Sequence, residues 1–340
     1  MFASKRLLGL DVGSSALKVV ECARRGSDLV LKGYRIVART GADEPVAAAI
    51  ARLLGAYAPK TRRVASSVSG RSVIVRYLSM PPLDDGALAE AIRVEADKYI
   101  PFDLDEVLLD CQALDRGAGG ETMRVVLVAV KRAVVDELAV ALTAGGLAPR
   151  VIDVDAFALG NAYELVERTH GTTDGALALI DLGAGKTHVN IRLAGLTQFT
   201  REIYLGGEAF DDALARALGI PESEAERLKQ APFDELPKVM EALAPVIADL
   251  ANEIQLSLQF FESQFARPVE KVALSGGMSR LEGLDQALAD ALARPVERWD
   301  PVAALRVAGG VDKEALARDG SQLACAVGLA TRLLDPAARR

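Results

Sequence analysis

Apolar residues recur along this chain in two rhythms, one of strands and one of helices, and their order predicts most of the elements. Residues 7–12, 17–22 and 29–37 are short apolar runs separated by turn residues, which predicts a meander of three strands. Residues 45–57 then carry Val46, Ile50, Leu53 and Leu54 at helical spacing. Residues 64–68 and 73–78 read as strands, the second ended by Pro81-Pro82. Asp84 or Asp85 can cap a helix that places Leu88, Ile92 and Tyr99 on one face and stops at Pro101. A Gly-rich turn at 117–120 leads into the longest apolar run, 125–130, and then a helix over 133–144 closed by Gly145-Gly146. Strand, helix, strand, strand and helix in succession predict a compact subdomain inserted over residues 71–147.

The second half repeats the first. Strands at 176–181, 188–193 and 197–204 restore the meander, and Gly206-Gly207 opens a helix carrying Phe210, Leu214 and Leu218. Pro221 introduces another helix over 222–229. The stripe Val239, Leu243, Val246, Leu250, Ile254, Leu258, Phe261 and Phe265 predicts buried helices, and Pro245 argues against one unbroken rod.

The repeat is also one of chemistry. Gly9-Leu10-Asp11-Val12-Gly13-Ser14-Ser15 returns half a chain later as Leu179-Ile180-Asp181-Leu182-Gly183-Ala184-Gly185. A single strand ending in Asp-x-Gly is often only a strand ending in a turn. Two copies, the first followed by hydroxyls and Lys18, point instead to paired phosphate-binding turns that clamp a nucleotide with its magnesium. A third element fits them: the strand 272–275 runs into Gly276-Gly277 and a helix, where bare backbone can approach a nucleotide. Gly185-Lys186-Thr187 is not the end of a P-loop, because Ile180 stands where the first glycine belongs.

Composition narrows the partners. A 340-residue chain that is half apolar can bury one large or two medium cores. A net charge of −7 argues against non-specific nucleic-acid binding, which needs a basic face. Cys22, Cys111 and Cys325 are scattered, and only His170 and His188 could join them, so neither a disulfide framework nor zinc is indicated. No apolar run approaches the roughly 20 residues of a membrane helix, and Asp11 interrupts the apolar stretch that follows Lys5-Arg6. A cytoplasmic chain is expected, attached to a membrane only through partners.

The two turns and the Gly-Gly element, in this order, resemble the superfamily of actin, heat-shock protein 70 and sugar kinases. Within it the chain resembles the PilM family of actin-like type IV pilus assembly proteins. The residues that carry this are Gly9-Leu10-Asp11-Val12-Gly13-Ser14-Ser15 with Lys18, Val68-Ser69-Gly70, Tyr99-Ile100-Pro101-Phe102, and Val151-Ile152-Asp153-Val154-Asp155. Gly206-Gly207-Glu208, Ser257-Leu258-Gln259-Phe260-Phe261 and Val327-Gly328-Leu329-Ala330 continue it. The chain departs from the family pattern at Val94, where an aromatic is common, at Gln255-Leu256, where a basic pair is usual, and at Lys186 in the second turn.

The resemblance implies an α/β, actin-like, two-lobed ATPase fold of the duplicated ribonuclease H type, with an inserted 1C subdomain like that of FtsA. The first lobe would take residues 1–70 and 148–172, the inserted subdomain 71–147, the second lobe 173–205 and 268–340, and a helical subdomain 206–267. ATP and Mg2+ are the implied cofactors. Asp11 would hold magnesium through water, with Gly13, Ser14, Ser15 and Lys18 on the phosphates. Asp181, Gly183, Ala184 and Gly185 would close the opposite side, Lys186 being either a further charge there or an exposed loop lysine. Gly207, Glu208, Glu226 and Lys229 would line the ribose and adenine, unless the last two are only a surface ion pair; Gly276, Gly277 and Met278 would lie along the adenosine. Asp155 either orients an attacking oxygen or caps the helix that starts beside it, so binding is expected ahead of turnover.

The implied partner is the short N-terminal cytoplasmic segment of a PilN-like membrane protein, with a pilus motor ATPase and other inner-membrane pilus proteins as further partners. Its groove is expected between the first lobe and residues 90–109, edged by Tyr99, Ile100 and Phe102, unless those residues pack the subdomain core. Three alternatives share the turns. A sugar or acetate kinase would need a small acceptor. An FtsA-like division protein would need a C-terminal amphipathic helix that residues 329–340 do not supply, and a GspL-like secretion subunit would need a transmembrane helix.

Overall fold

The computed structural model describes residues 6–41, 43–116, 122–172, 175–230 and 235–334. The expected Gly-rich turn at 117–120 and the last residues of the 329–340 segment lie outside them.

Three antiparallel strands open the chain, β1 (Arg6–Val12), β2 (Ala16–Arg25) and β3 (Asp28–Ala38), followed by α1 (Val46–Ala56) and β4 (Arg63–Val68). The inserted segment comprises β5 (Val73–Met80), α2 (Asp85–Glu95), β6 (Val107–Asp115), β7 (Met123–Lys131) and α3 (Arg132–Ala144). The chain then returns through β8 (Ala148–Val154) and α4 (Asp155–His170). The second half repeats the meander as β9 (Ala176–Leu182), β10 (Thr187–Leu193) and β11 (Leu196–Ile203), then continues with α5 (Gly207–Leu218), α6 (Glu222–Gln230), α7 (Leu236–Phe265) and β12 (Val269–Ser275). It ends with α8 (Leu284–Leu292), β13 (Val296–Arg298), β14 (Arg306–Val307), α9 (Lys313–Asp319) and α10 (Ala324–Thr331).

Sheet order makes the duplication explicit. The first sheet runs β14-β3-β2-β1-β4-β8 and the second β11-β10-β9-β12-β13, each an antiparallel meander extended past its first strand by two parallel strands, with β14 added in parallel at the far edge of the first. Both α4 and α10 lie between the sheets, and one apolar core draws Leu7, Val20 and Ala65 from the first and Leu177, Leu179 and Ala273 from the second. All eight residues of α10 are buried. Its packing is of the closest kind: a Cβ on Gly328 would stand 1.8 Å from Ala158 O of α4, and one on Gly9 of β1 would stand 2.0 Å from Ala326 O. Only glycine lets backbone meet backbone at these two points. On the outer faces, α1 and α3 cover the first sheet, with Ile50, Leu53 and Leu142 in one cluster, and α5 to α8 cover the second.

Three expectations are corrected. The stripe from Val239 to Phe265 belongs to one continuous helix, α7, with Pro245 inside it. Proline forfeits one backbone bond and crowds the preceding turn at a cost of about 3 kcal/mol. Burying Val239, Leu243, Val246, Leu250, Ile254, Leu258 and Phe261 along a single line outweighs that, at roughly 1.5–3 kcal/mol per side chain. The second correction is to α2: Asp84 caps it, accepting from Ala87 N–H at 2.9 Å, but it ends at Glu95 in a single 3₁₀ turn, so Tyr99 lies beyond the helix. Third, Leu88, Ile92 and Ile100 are buried against the β5-β7-β6 sheet with Tyr99 and Phe102 packed on them, so these residues build the subdomain core.

Candidate nucleotide cleft and partner groove

The two Asp-x-Gly turns come together. β1 and β2 meet at a hairpin turn closed by Gly13 N–H to Ala16 O at 3.1 Å, and β9 and β10 at one closed by Gly183 N–H to Lys186 O at 3.0 Å. Ser14 Oγ of the first turn stands 3.4 Å from Glu208 Oε1, and Gly185 of the second lies against the same two side chains. The second turn is fixed to the N-terminus of α5, since Gly207 and Glu208 donate their N–H groups to Gly183 O and Ala184 O, each at 2.9 Å. That end of a twelve-residue helix favours an anion.

A cleft of about 260 Å³ opens here, and Ser15, Lys18, Gly183, Ala184, Gly207, Glu208, Glu226, Lys229, Gly277 and Met278 all line it. Gly276, with φ at +89°, follows β12 just before the cleft-lining Gly277 and donates its N–H to Ser321 O at 2.8 Å. Asp211, Gln230, Arg280 and Gln322 also line the cleft and escaped the sequence reading. Lys229 does not pair with Glu226. It bonds Asp211 Oδ2 at 2.6 Å and Gly207 O at 3.0 Å, tying α6 to α5, so the surface-pair reading is overturned.

Behind the turns stand three carboxylates. Lys18 Nζ bonds Asp11 Oδ2 at 2.8 Å; burial alone would lower the ammonium, but Asp11 wins and its pKa is raised. Asp181 accepts from Ser275 Oγ at 2.7 Å, and burial lifts its carboxyl above the usual range against the pull of His188 and Lys18. Asp155 is the first residue of α4, while its cap position is Val154, so the capping explanation fails. Burial acts to raise the Asp155 carboxyl as well, but the His188 ring, Ser69 and Lys186 together hold it below the usual range. Cys325 Sγ fills the space between, 3.9 Å from Asp181 Oδ2, its thiol pushed well up by burial and by that carboxylate.

His188 is the functional residue that sequence reasoning missed. It is buried, with Nε2 3.5 Å from Asp155 Oδ2 and Nδ1 3.8 Å from Glu202 Oε1. Asn190 and Arg192 follow on the same face of β10. Asn190 donates to Ala156 O at 2.6 Å, and Arg192 pairs with Glu167 at 2.6 Å, so a buried polar row joins β10 to α4. Alternate polar residues in an otherwise apolar strand were the available signal. Lys186 is not a free loop lysine: its Nζ reaches Ser69 Oγ of the first lobe at 2.5 Å.

A separate groove runs between the inserted sheet and the first lobe. It consists of two adjoining chambers of about 370 and 210 Å³ that share Gln112, Val126, Asp153, Phe157 and Arg332. Residues 108–112 of β6 form one wall and residues 152–154 of β8 another, and both strands are sheet edges. The larger chamber also touches the β10–β11 hairpin at Gly195 and Leu196. Asp153, its carboxyl raised by burial against the opposing Arg332, bonds Arg332 Nε at 3.0 Å. Of the stretch 90–109 only Leu108 and Leu109 line this groove.

No described helix is long and apolar enough to cross a membrane. Among solved structures the chain is similar to the PilM-PilN type IV pilus biogenesis complex, at 31% identity and a TM-score of 0.87 over 98% of this chain and 100% of that one. It is also similar to the ethanolamine utilization protein EutJ from Carboxydothermus hydrogenoformans (15% identity, 97% and 90% coverage, TM-score 0.57). MreB 5 of Spiroplasma citri, bound to AMPPNP, matches at 11% identity, 99% and 98% coverage and a TM-score of 0.52. The last two likenesses are of fold, and the fold is the actin-like ATPase fold that the paired turns implied. A family model described as type IV pilus assembly protein PilM matches residues 9–334, and the chain belongs to that family.

Proposed function

We propose that the chain is an ATP-binding scaffold of type IV pilus assembly that seats the N-terminal cytoplasmic segment of a PilN-like membrane protein in the groove between β6 and β8. The observation that carries this reading is the presence in one chain of a cleft between two phosphate-type turns and, apart from it, a groove walled by two free strand edges. An extended peptide gains backbone bonds from such an edge and specificity from apolar pockets such as the one lined by Val126, Val128 and Phe157. The pilus complex to which the chain is similar contains PilN.

Magnesium would be reached through water by carboxylates that stand behind the turns and outside the cleft lining. Asp11 and Asp181 are the carboxylates at the two turns, and no described cluster of three or more His, Cys, Asp or Glu side chains could hold a metal alone. Magnesium keeps several waters and takes one or two carboxylates together with phosphate oxygens, so these two would suffice. When bound it offsets phosphate charge. Lys18 supplies a second positive charge from the Asp11 side, and α5 turns the positive end of its dipole to the cleft, its first N–H groups being bonded to Gly183 O and Ala184 O. Asp155 is engaged with His188 behind the turns, and turnover is expected to be slow.

Cys111 gives a direct test. It lines the groove on β6 and is partly exposed, whereas Cys22 and Cys325 are buried. A PilN-type N-terminal peptide should bind and slow alkylation of Cys111; binding that leaves that rate unchanged would show the groove to be misplaced. Separately, Mg-ATP at a hundredfold excess over its dissociation constant should stabilise the chain by about 2.7 kcal/mol. Thermal melts with no nucleotide shift would sink the cleft reading.

A further inference from the structure

The second phosphate-type turn holds the first lobe at the point where the inserted subdomain begins. Lys186 closes that turn with its carbonyl, and its side chain leaves the turn to donate to Ser69 Oγ at 2.5 Å. The same ammonium lies 3.5 Å from Glu202 Oε1 on β11. Glu202 in turn accepts Gly70 N–H at 2.8 Å and Tyr204 O–H at 3.2 Å. Ser69 and Gly70 are the residues that leave β4 before β5 starts at Val73. Gly70 has φ at +100° and open space where a Cβ would be, which makes it a swivel. Two side chains of the second lobe thus hold two successive residues at the entry to the subdomain that walls the groove.

We propose that Lys186 and Glu202 form a latch through which the second lobe sets the orientation of the inserted subdomain, and that a nucleotide in the cleft releases Lys186 from it. The second clause rests on the nucleotide reading of the cleft. A hydroxyl and a carboxylate at 3.5 Å are modest partners for an ammonium that keeps 26% of its side chain exposed. Lysine is a mobile point charge on a four-carbon stem, and polyphosphate seated between the turns brings several negative charges to the turn that carries it. Lys186 is here a positioning residue, acting on the subdomain through Ser69 and Glu202.

The test measures the distance between spin labels at Val94→Cys on α2 and Leu256→Cys on α7, both exposed, in a chain carrying Cys111→Ser. Without nucleotide the parent chain should give one narrow distance, and Lys186→Met a broadened distribution with faster amide exchange at Gly70. Lys186→Arg, which keeps the charge and the reach, should restore the narrow distance. Unchanged exchange at β1 and β9 would show that the methionine variant is folded. Mg-ATP should move the parent toward the distribution of Lys186→Met and leave that variant where it is. A narrow, parent-like distance in folded Lys186→Met overturns the latch. If melts show that nucleotide binds and the parent distance does not move, the release is overturned. If melts show no binding, the nucleotide reading has failed, and the latch is judged on the nucleotide-free arm alone.

Discussion

The turns after β1 and β9 close with the same bond, Gly13 to Ala16 and Gly183 to Lys186, and in each the aspartate faces a basic residue across the hairpin, Asp11 opposite Lys18 and Asp181 opposite His188. They part company in what neutralises the carboxylate. Lys18 bonds Asp11 directly, so the first turn is electrically self-contained. His188 turns instead to Asp155 of the other lobe, and Asp181 is bonded by the neutral Ser275 hydroxyl and Cys325 thiol. Duplication of a backbone fixes where the charges stand, and the side chains that answer them decide whether a turn serves its own lobe or joins the two.

That contrast can be broken at either end. The largest effect is expected from Asp11→Ala, which leaves a largely buried Lys18 without its partner and should cost about 3–5 kcal/mol in urea unfolding. A loss near zero would show that the pair behaves as if in solvent. Asp181→Asn should act in the opposite direction. Burial holds the Asp181 carboxyl above its usual range, so the fold is favoured when that group is protonated and loses stability as pH rises through the raised value. The amide removes that loss: the nucleotide-free melting temperature should rise at pH 7 while any Mg-ATP shift shrinks. A fall in the nucleotide-free melting temperature would contradict the assignment. The smallest effect belongs to Asp155→Asn. The Asp155 carboxyl is held low, so its contribution is complete above the unfolded value of about 3.9 and disappears as pH falls through the lower folded one. Unfolding curves from neutral pH downward should show a shallower acid limb in Asp155→Asn than in the parent. An identical limb would mean that the His188 contact stabilises nothing.

The strands, the two turns and the Gly-Gly element were legible because their signals are local: apolar runs, a carboxylate two residues before a glycine, and the absence of side chains where backbone must turn. What joins the lobes was not legible. Lys186 finds Ser69 at a separation of 117 residues and Arg192 of β10 finds Glu167 of α4, and no spacing rule connects such pairs. Asp155 could be narrowed to two roles but not assigned, since a helix-initial aspartate looks the same in sequence whether it caps its helix or orients an attacking oxygen. Pro245 misled for a different reason: its cost is local and visible, while the burial that offsets it depends on a core assembled elsewhere.

The contact of Gly328 with Ala158 has a mechanical consequence. Backbone pressed on backbone cannot slide, and Gly9 of β1 presses on the same eight-residue helix at Ala326 and Ala330, so α10 is clamped on either side of Gly328. Cys325, near one end of α10, faces Asp181 behind the cleft, while Arg332, just past the other, holds Asp153 in the groove. With both contacts in place α10 is a rigid strut whose two ends hold fixed the spacing between a carboxylate behind the cleft and one in the groove.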